Sequence, residues 1–249
     1  MVIKSNERFW EIDVLRGIAI ILMIIFHILY DLNYFQLINL SLYTGYFLIY
    51  VYLIGILFFL LVGISLTLSY TKSKEFLTKN KLKIKFIIRG LKIFILGLFI
   101  TLITWLYLDE GFIIFGVLHC IGISIILVYP FLKIRYPNLL IGVLLISIGL
   151  FLKNFTFDFQ WLIWLGFRYS SFYTIDYFPI LPWLGVILIG IFLGNTFYPN
   201  HNRKFRILDL SNFKIVKFFI YLGQNSLIIY FIHQPILLSI IYLFFKMLL

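Results

Sequence analysis

The sequence predicts an all-α integral membrane protein, a polytopic helical bundle of about seven transmembrane helices, and two observations carry that reading. First, the 249 residues are 63% hydrophobic, 20% aromatic and only 12% charged, with a mean hydropathy of +1.05. That leaves too little polar surface for a water-soluble domain. Second, the apolar residues fall in long runs separated by short polar loops, without a soluble linker or a low-complexity tail. The chain therefore reads as a single membrane domain over residues 1–249.

Seven candidate spans follow, at residues 11–32, 46–70, 85–107, 112–132, 138–155, 178–198 and 216–248. The first keeps its apolar character for about twenty residues and lacks a small-residue cleavage pattern, so it reads as a retained helix and not a removable leader. Asp109-Glu-Gly111 reads as a tight outer turn. The fifth span is short, and the loop from Thr156 to Tyr177 carries Trp161, Trp164 and many Tyr and Phe residues, the composition of a membrane interface. Pro179 and Pro182 sit where a helix start tolerates proline. The last span is long for one crossing, and Gly223-Gln-Asn-Ser226 is expected to break it into a short interfacial helix from Lys214 to Leu222 and a membrane helix beyond.

Charge sets the expected orientation. With the N-terminus in the cytoplasm, Lys4, Arg8, Arg16, the run from Lys72 to Lys92, Lys133, Arg135 and the run from Arg203 to Lys217 lie inside, while Lys153, Arg168 and Lys246 fall outside. This bias predicts a multi-pass protein of the cell membrane with a cytoplasmic N-terminus and an outer C-terminus. The net charge of +11 is then a topology signal that also favours anionic membrane lipids, and it argues for no nucleic acid. Cys120 is the only cysteine, which excludes an intramolecular disulfide.

The chemistry-bearing residues concentrate in the first span. Asp13, Arg16, His27 and Asp31 are three, eleven and four residues apart, and steps of about 100° per residue put all four on one helix face. An ionisable group near the bilayer centre costs at least about 2.5 kcal/mol, so an inward, partnered, functional face is expected. His27 with Asp31 at i+4 forms a candidate catalytic pair in which the carboxylate orients the imidazole as a general base. Arg16, about 16 Å nearer the cytoplasm, either salt-bridges Asp13 or grips a phosphate or carbonyl.

His119, between Gly116 and Gly122, lies at a depth similar to His27 and is a candidate substrate-binding residue. Gln224, Asn225, Ser226, His233 and Gln234-Pro235 give the last span a polar stripe, from which Gln224, Asn225 and His233 are taken as further substrate-binding candidates. A packing role competes for His119 and His233, and His201 reads as a solvated loop residue. The HExxH, CxxC, Walker and Gly-Xaa-Ser-Xaa-Gly patterns are absent, so soluble hydrolase and metalloprotease classes gain no support, and a metal site is not expected.

Ten residues separate Arg16 from His27, which resembles the Arg-X10-His signature of the integral-membrane acyltransferase-3 proteins that modify exported glycans. The surrounding Glu11–Met23 segment is similar to the first helix of the heparan-α-glucosaminide N-acetyltransferase catalytic-domain family. The stretches 115–122, 179–194 and 222–235 resemble patterns in its small prokaryotic branch.

That resemblance implies an enzyme taking an acyl group, such as acetyl, from cytoplasmic acyl-CoA (acetyl-CoA) as donor substrate, with no bound cofactor. The acyl group would pass to a hydroxyl or amine of a sugar or lipid-linked acceptor at the outer face. Arg16 and His27 are the positions carried over, with Asp13 and Arg16 toward the donor; a homodimer is implied by analogy. The lysosomal members place Asn where His27 stands and a catalytic His in the following loop, where residues 32–44 contain none. Chemistry then rests on His27, or acyl transfer has been lost. Seven spans are also fewer than the ten or eleven of those families.

Two other classes compete. A transporter or lipid-handling protein would use the buried charges to relay protons or bind a substrate carboxylate. A b-type haem protein would use His27 and His119 as axial ligands.

Overall fold

The computed structural model describes residues 8–42 and 44–248, with side chains described through residue 244. Lys4 and the Lys246 side chain, which entered the charge argument, lie outside the described residues. Among the described residues, eight α-helices carry the fold: α1 (Trp10–Tyr34), α2 (Gly45–Ser73), α3 (Lys79–Tyr107), α4 (Val117–Leu127), α5 (Tyr136–Leu152), α6 (Ile180–Phe197), α7 (Lys214–Gln224) and α8 (Ser226–Leu248). Among the described residues, extended pairing is limited to an isolated bridge between Phe115 and Tyr177. The fold is therefore the all-α membrane bundle that composition predicts.

Among the described residues, five helices are long and apolar enough to cross a membrane: α1, α2, α3, α6 and α8. The fourth and fifth predicted spans are realised as shorter apolar helices. α4 has 11 residues, about 16 Å of rise against a hydrocarbon core of about 30 Å. Its expected first turn is spent on other bonds. Gly111 turns the chain at φ +77°, and Phe112 and Phe115 then accept from Thr174 Oγ1 and the Phe178 N–H. At the other end Pro130, which lacks an N–H, falls in a 3₁₀ turn over Tyr129–Lys133. The predicted last span is broken at Asn225, which separates α7 from α8.

The described residues pack as two compact units, one formed by Val62–Arg206 and the other by residues 8–61 together with 207–248. In the first, α3 packs on α4 and α5 on α6, around Leu66, Phe86, Ile125, Leu132, Ile187 and Ile191. Small residues set how closely these pairs approach. A Cβ on Gly122 would lie 2.8 Å from the Gly90 carbonyl oxygen, and one on Gly142 would lie 2.8 Å from that of Gly185, so the backbones touch as small-residue seams allow in membranes.

In the second unit α1 is central and packs against α7 and α8. Its buried positions are Glu11, Ile12, Asp13, Gly17, Ala19, Ile20, Met23 and Asp31, while Leu15, Ile25 and Ile28 are exposed. The buried stripe follows the helical period predicted for the ionisable residues. Tyr50 of α2 donates to the Leu22 carbonyl at 2.8 Å, tying α2 to this unit.

Candidate functional site

The polar face of α1 carries two clusters about 20 Å apart along the helix. At the N-terminal end, Arg16 Nη1 donates to Asp13 Oδ1 at 2.9 Å and to the Gly223 carbonyl at 3.1 Å, and Gln224 Nε2 donates to Asp13 Oδ2 at 3.2 Å. Asp13 lies in the first turn of α1 and Gly223 in the last turn of α7. An acid near a helix N-terminus and a guanidinium on a helix C-terminal carbonyl both suit the helix dipoles. Two glycines permit the crossing: a Cβ on Gly17 would collide with the Phe219 carbonyl, and one on Gly223 with that of Asp13. Asn225 is half-buried and donates to the Tyr221 carbonyl at 2.8 Å, closing the end of α7.

The second cluster joins α1 to α8. Gln234 Nε2 donates to Asp31 Oδ1 at 2.7 Å, and the rings of His27 and His233 lie 4.7 Å apart between centroids. His233 Nδ1 sits 2.6 Å from the Tyr230 carbonyl oxygen. The predicted orientation of His27 by Asp31 is corrected here. Asp31 Oδ1 is taken by Gln234, while Asp31 Oδ2 and His27 Nδ1 are buried with no hydrogen-bond partner among the described residues. An amide on a packed helix reaches the carboxylate where the i,i+4 imidazole does not. Gln234 Oε1 and His233 Nε2 are likewise buried and unpartnered. Buried polar atoms are paired in the great majority of cases, so four orphans in one cluster mark this end of α1.

His119 has a different environment, within the first unit. Its Nδ1 accepts from the Gly116 N–H at 3.2 Å, the reciprocal half of a capping box. Thr101 Oγ1 spends its proton on the Ile113 carbonyl at 2.7 Å, so His119 Nε2, 3.3 Å from that hydroxyl oxygen, is the donor. With Nδ1 accepting and Nε2 donating, the neutral ring keeps no lone pair for an iron or a substrate. Phe94 and Phe115 pack on the same ring. Cys120, also fully buried, contacts the Pro179 carbonyl and Ser124.

Sequence reasoning missed Gln234 as the partner of Asp31, the seating of Gly17 and Gly223, and Asp176. Asp176 Oδ2 accepts the Val117 N–H at 3.3 Å and so caps α4 from a loop 59 residues away. Burial pushes its carboxyl up to about 6, partly opposed by that N–H. A local capping pattern could not reveal it, because it precedes α6 and caps α4. Among the described residues, no group of three or more His, Cys, Asp or Glu is placed to hold a metal ion.

A family model described as "Heparan-alpha-glucosaminide N-acetyltransferase, catalytic" matches residues 8–235, which include every residue of both α1 clusters. No curated protein and no solved structure matches the chain.

Proposed function

We propose that this chain, which belongs to the heparan-alpha-glucosaminide N-acetyltransferase catalytic family, moves an acetyl group from acetyl-CoA on the cytoplasmic side to a hydroxyl or amine of a sugar or lipid-linked acceptor at the outer face. Membership of the family supports a membrane acetyltransferase; the donor, the acceptor and the sidedness belong to this reading. Its main support in the molecule is the cluster of four unpartnered buried atoms on His27, Asp31, His233 and Gln234. The oxygens of Asp31 and Gln234 offer lone pairs where a hydroxyl or amine would bring hydrogens, beside two imidazoles of the kind that serve general base catalysis. The Lys and Arg distribution supports an N-terminus in the cytoplasm, and five or seven crossings alike put the C-terminus outside.

In this reading the donor approaches along the Asp13–Arg16 end of α1, and the acceptor occupies the His27–His233 end. His119 is left as a packing residue, because both its nitrogens are engaged. Asn225 is left as the α7 terminus.

The buried titratable groups of the same cluster would also suit a proton or substrate relay. Donor-independent flux in liposomes, without acyl transfer, would favour that transporter reading. The direct test is thermal stability of the purified protein with acetyl-CoA or CoA. A ligand at about 100 times its dissociation constant stabilises by about 2.7 kcal/mol. Wild type should shift and Arg16→Ala should not; no shift of wild type with either ligand would overturn the proposal.

A further inference from the structure

We infer that His233, and not His27, is the base that takes the proton from the acceptor, an assignment that rests on the acyl-transfer reading above. A carbonyl oxygen only accepts, so the 2.6 Å contact to the Tyr230 carbonyl requires the proton of His233 to sit on Nδ1. A neutral imidazole has a single N–H, which leaves Nε2 as a lone pair, and that atom is buried without a partner. The residue is 8% exposed. The tautomer is thus set by the residue's own helix, the arrangement in which a backbone carbonyl on Nδ1 decides what Nε2 does.

His27 lacks such a clamp, for its Nδ1 meets no donor or acceptor and no hydrogen bond joins it to Asp31. It packs against the His233 ring. Asp31, held by Gln234, is the carboxylate of the same cluster.

The reaction balances on this assignment. His233 Nε2 removes the hydrogen of the acceptor's O–H or N–H bond as that oxygen or nitrogen bonds to the thioester carbonyl carbon. The tetrahedral centre collapses with cleavage of the C–S bond. The proton on Nε2 passes to the departing thiolate, giving the acylated acceptor and the free thiol of CoA. Positive charge on the imidazolium is shared through Nδ1–H with the Tyr230 carbonyl.

The test uses the full chain in liposomes with acetyl-CoA and a panel of amino sugars and polyols as acceptors. His233→Gln should lower kcat by about 10²- to 10⁴-fold, with the KM for acetyl-CoA and the acetyl-CoA-induced thermal shift kept. The titratable groups whose rings meet His233 are His27 of α1 and Tyr230 of its own helix; Asp31 of α1 is held by the adjacent Gln234, and Phe58 of α2, packed on Tyr230, adds none. The acid limb of the rate profile should therefore persist in His27→Gln and vanish in His233→Gln.

Wild-type transfer with His233→Gln within threefold, or with its acid limb intact, would overturn this assignment alone. Wild type that transfers to no acceptor would overturn the acyl-transfer reading and the assignment with it. Should the variant fail to fold, nitrogen-15 histidine NMR of wild type decides, since an Nε2–H tautomer at His233 would also overturn it.

Discussion

Gln234 of α8 donates to Asp31 of α1 at 2.7 Å, and Asp31 is 2% exposed, so a neutral amide holds one oxygen of a buried carboxyl group in the apolar span. A hydrogen bond to a charged group contributes about 1.5–3 kcal/mol, and a buried group left without its partner bears the full desolvation cost. Gln234→Leu is therefore expected to destabilise by about 1–3 kcal/mol, and Asp31→Asn by less, because an asparagine still accepts from Gln234. Melting of both single variants and the double variant in detergent checks this. A coupling energy near zero would show that the pair does not join α1 to α8.

The crossing of α1 and α7 rests on glycine at both contact points, with the carbonyls of Phe219 and Asp13 where Cβ atoms would stand. Backbone cannot rotate away as a side chain can. Gly17→Ala and Gly223→Ala should each cost about 1–3 kcal/mol through overpacking, and should expose the α7 segment to protease before the rest of the chain. If both alanine variants melt with wild type, the two helices do not approach as described.

Asp176 lies in the loop before α6, and burial raises its carboxyl from 3.8 to about 6, partly opposed by the Val117 N–H. The folded state then holds this proton more tightly than the unfolded chain. The stability that the group contributes is complete below about pH 4 and is lost as pH rises through about 6. Asp176→Asn keeps an oxygen for the α4 cap but cannot titrate. Its melting temperature should fall less than that of wild type between pH 4 and 7, and parallel curves would exclude Asp176 as the source of the pH dependence.

Much of the candidate site was legible in order along the chain. Helical period put Asp13, Arg16, His27 and Asp31 on one face because it depends only on spacing, and α7 and α8 pack against that face. The polar run Gly223-Gln-Asn-Ser226 marked the helix break, since these residues favour helix ends. The i,i+4 rule misplaced the partner of Asp31, because Gln234, 203 residues away, reaches its carboxylate instead. The length of α4 was hidden for a similar reason: the residues expected to begin it are bonded to the loop before α6.

Composition and hydropathy alone determined that the protein is an all-α membrane bundle, because burial in lipid is decided by the average character of a segment. Periodicity alone determined which side of α1 would be polar. Packing decided the rest: that Asp13 and Arg16 close on α7, that His119 keeps no lone pair, and that the ring of His233 on α8 stands beside that of His27 on α1. Such outcomes depend on which atoms from distant parts of the chain come within about 3 Å, at separations such as the 207 residues between Arg16 and Gly223. Hydrogen bonding weakens steeply outside that range, so a pattern of residue types can nominate the groups but cannot assign their partners.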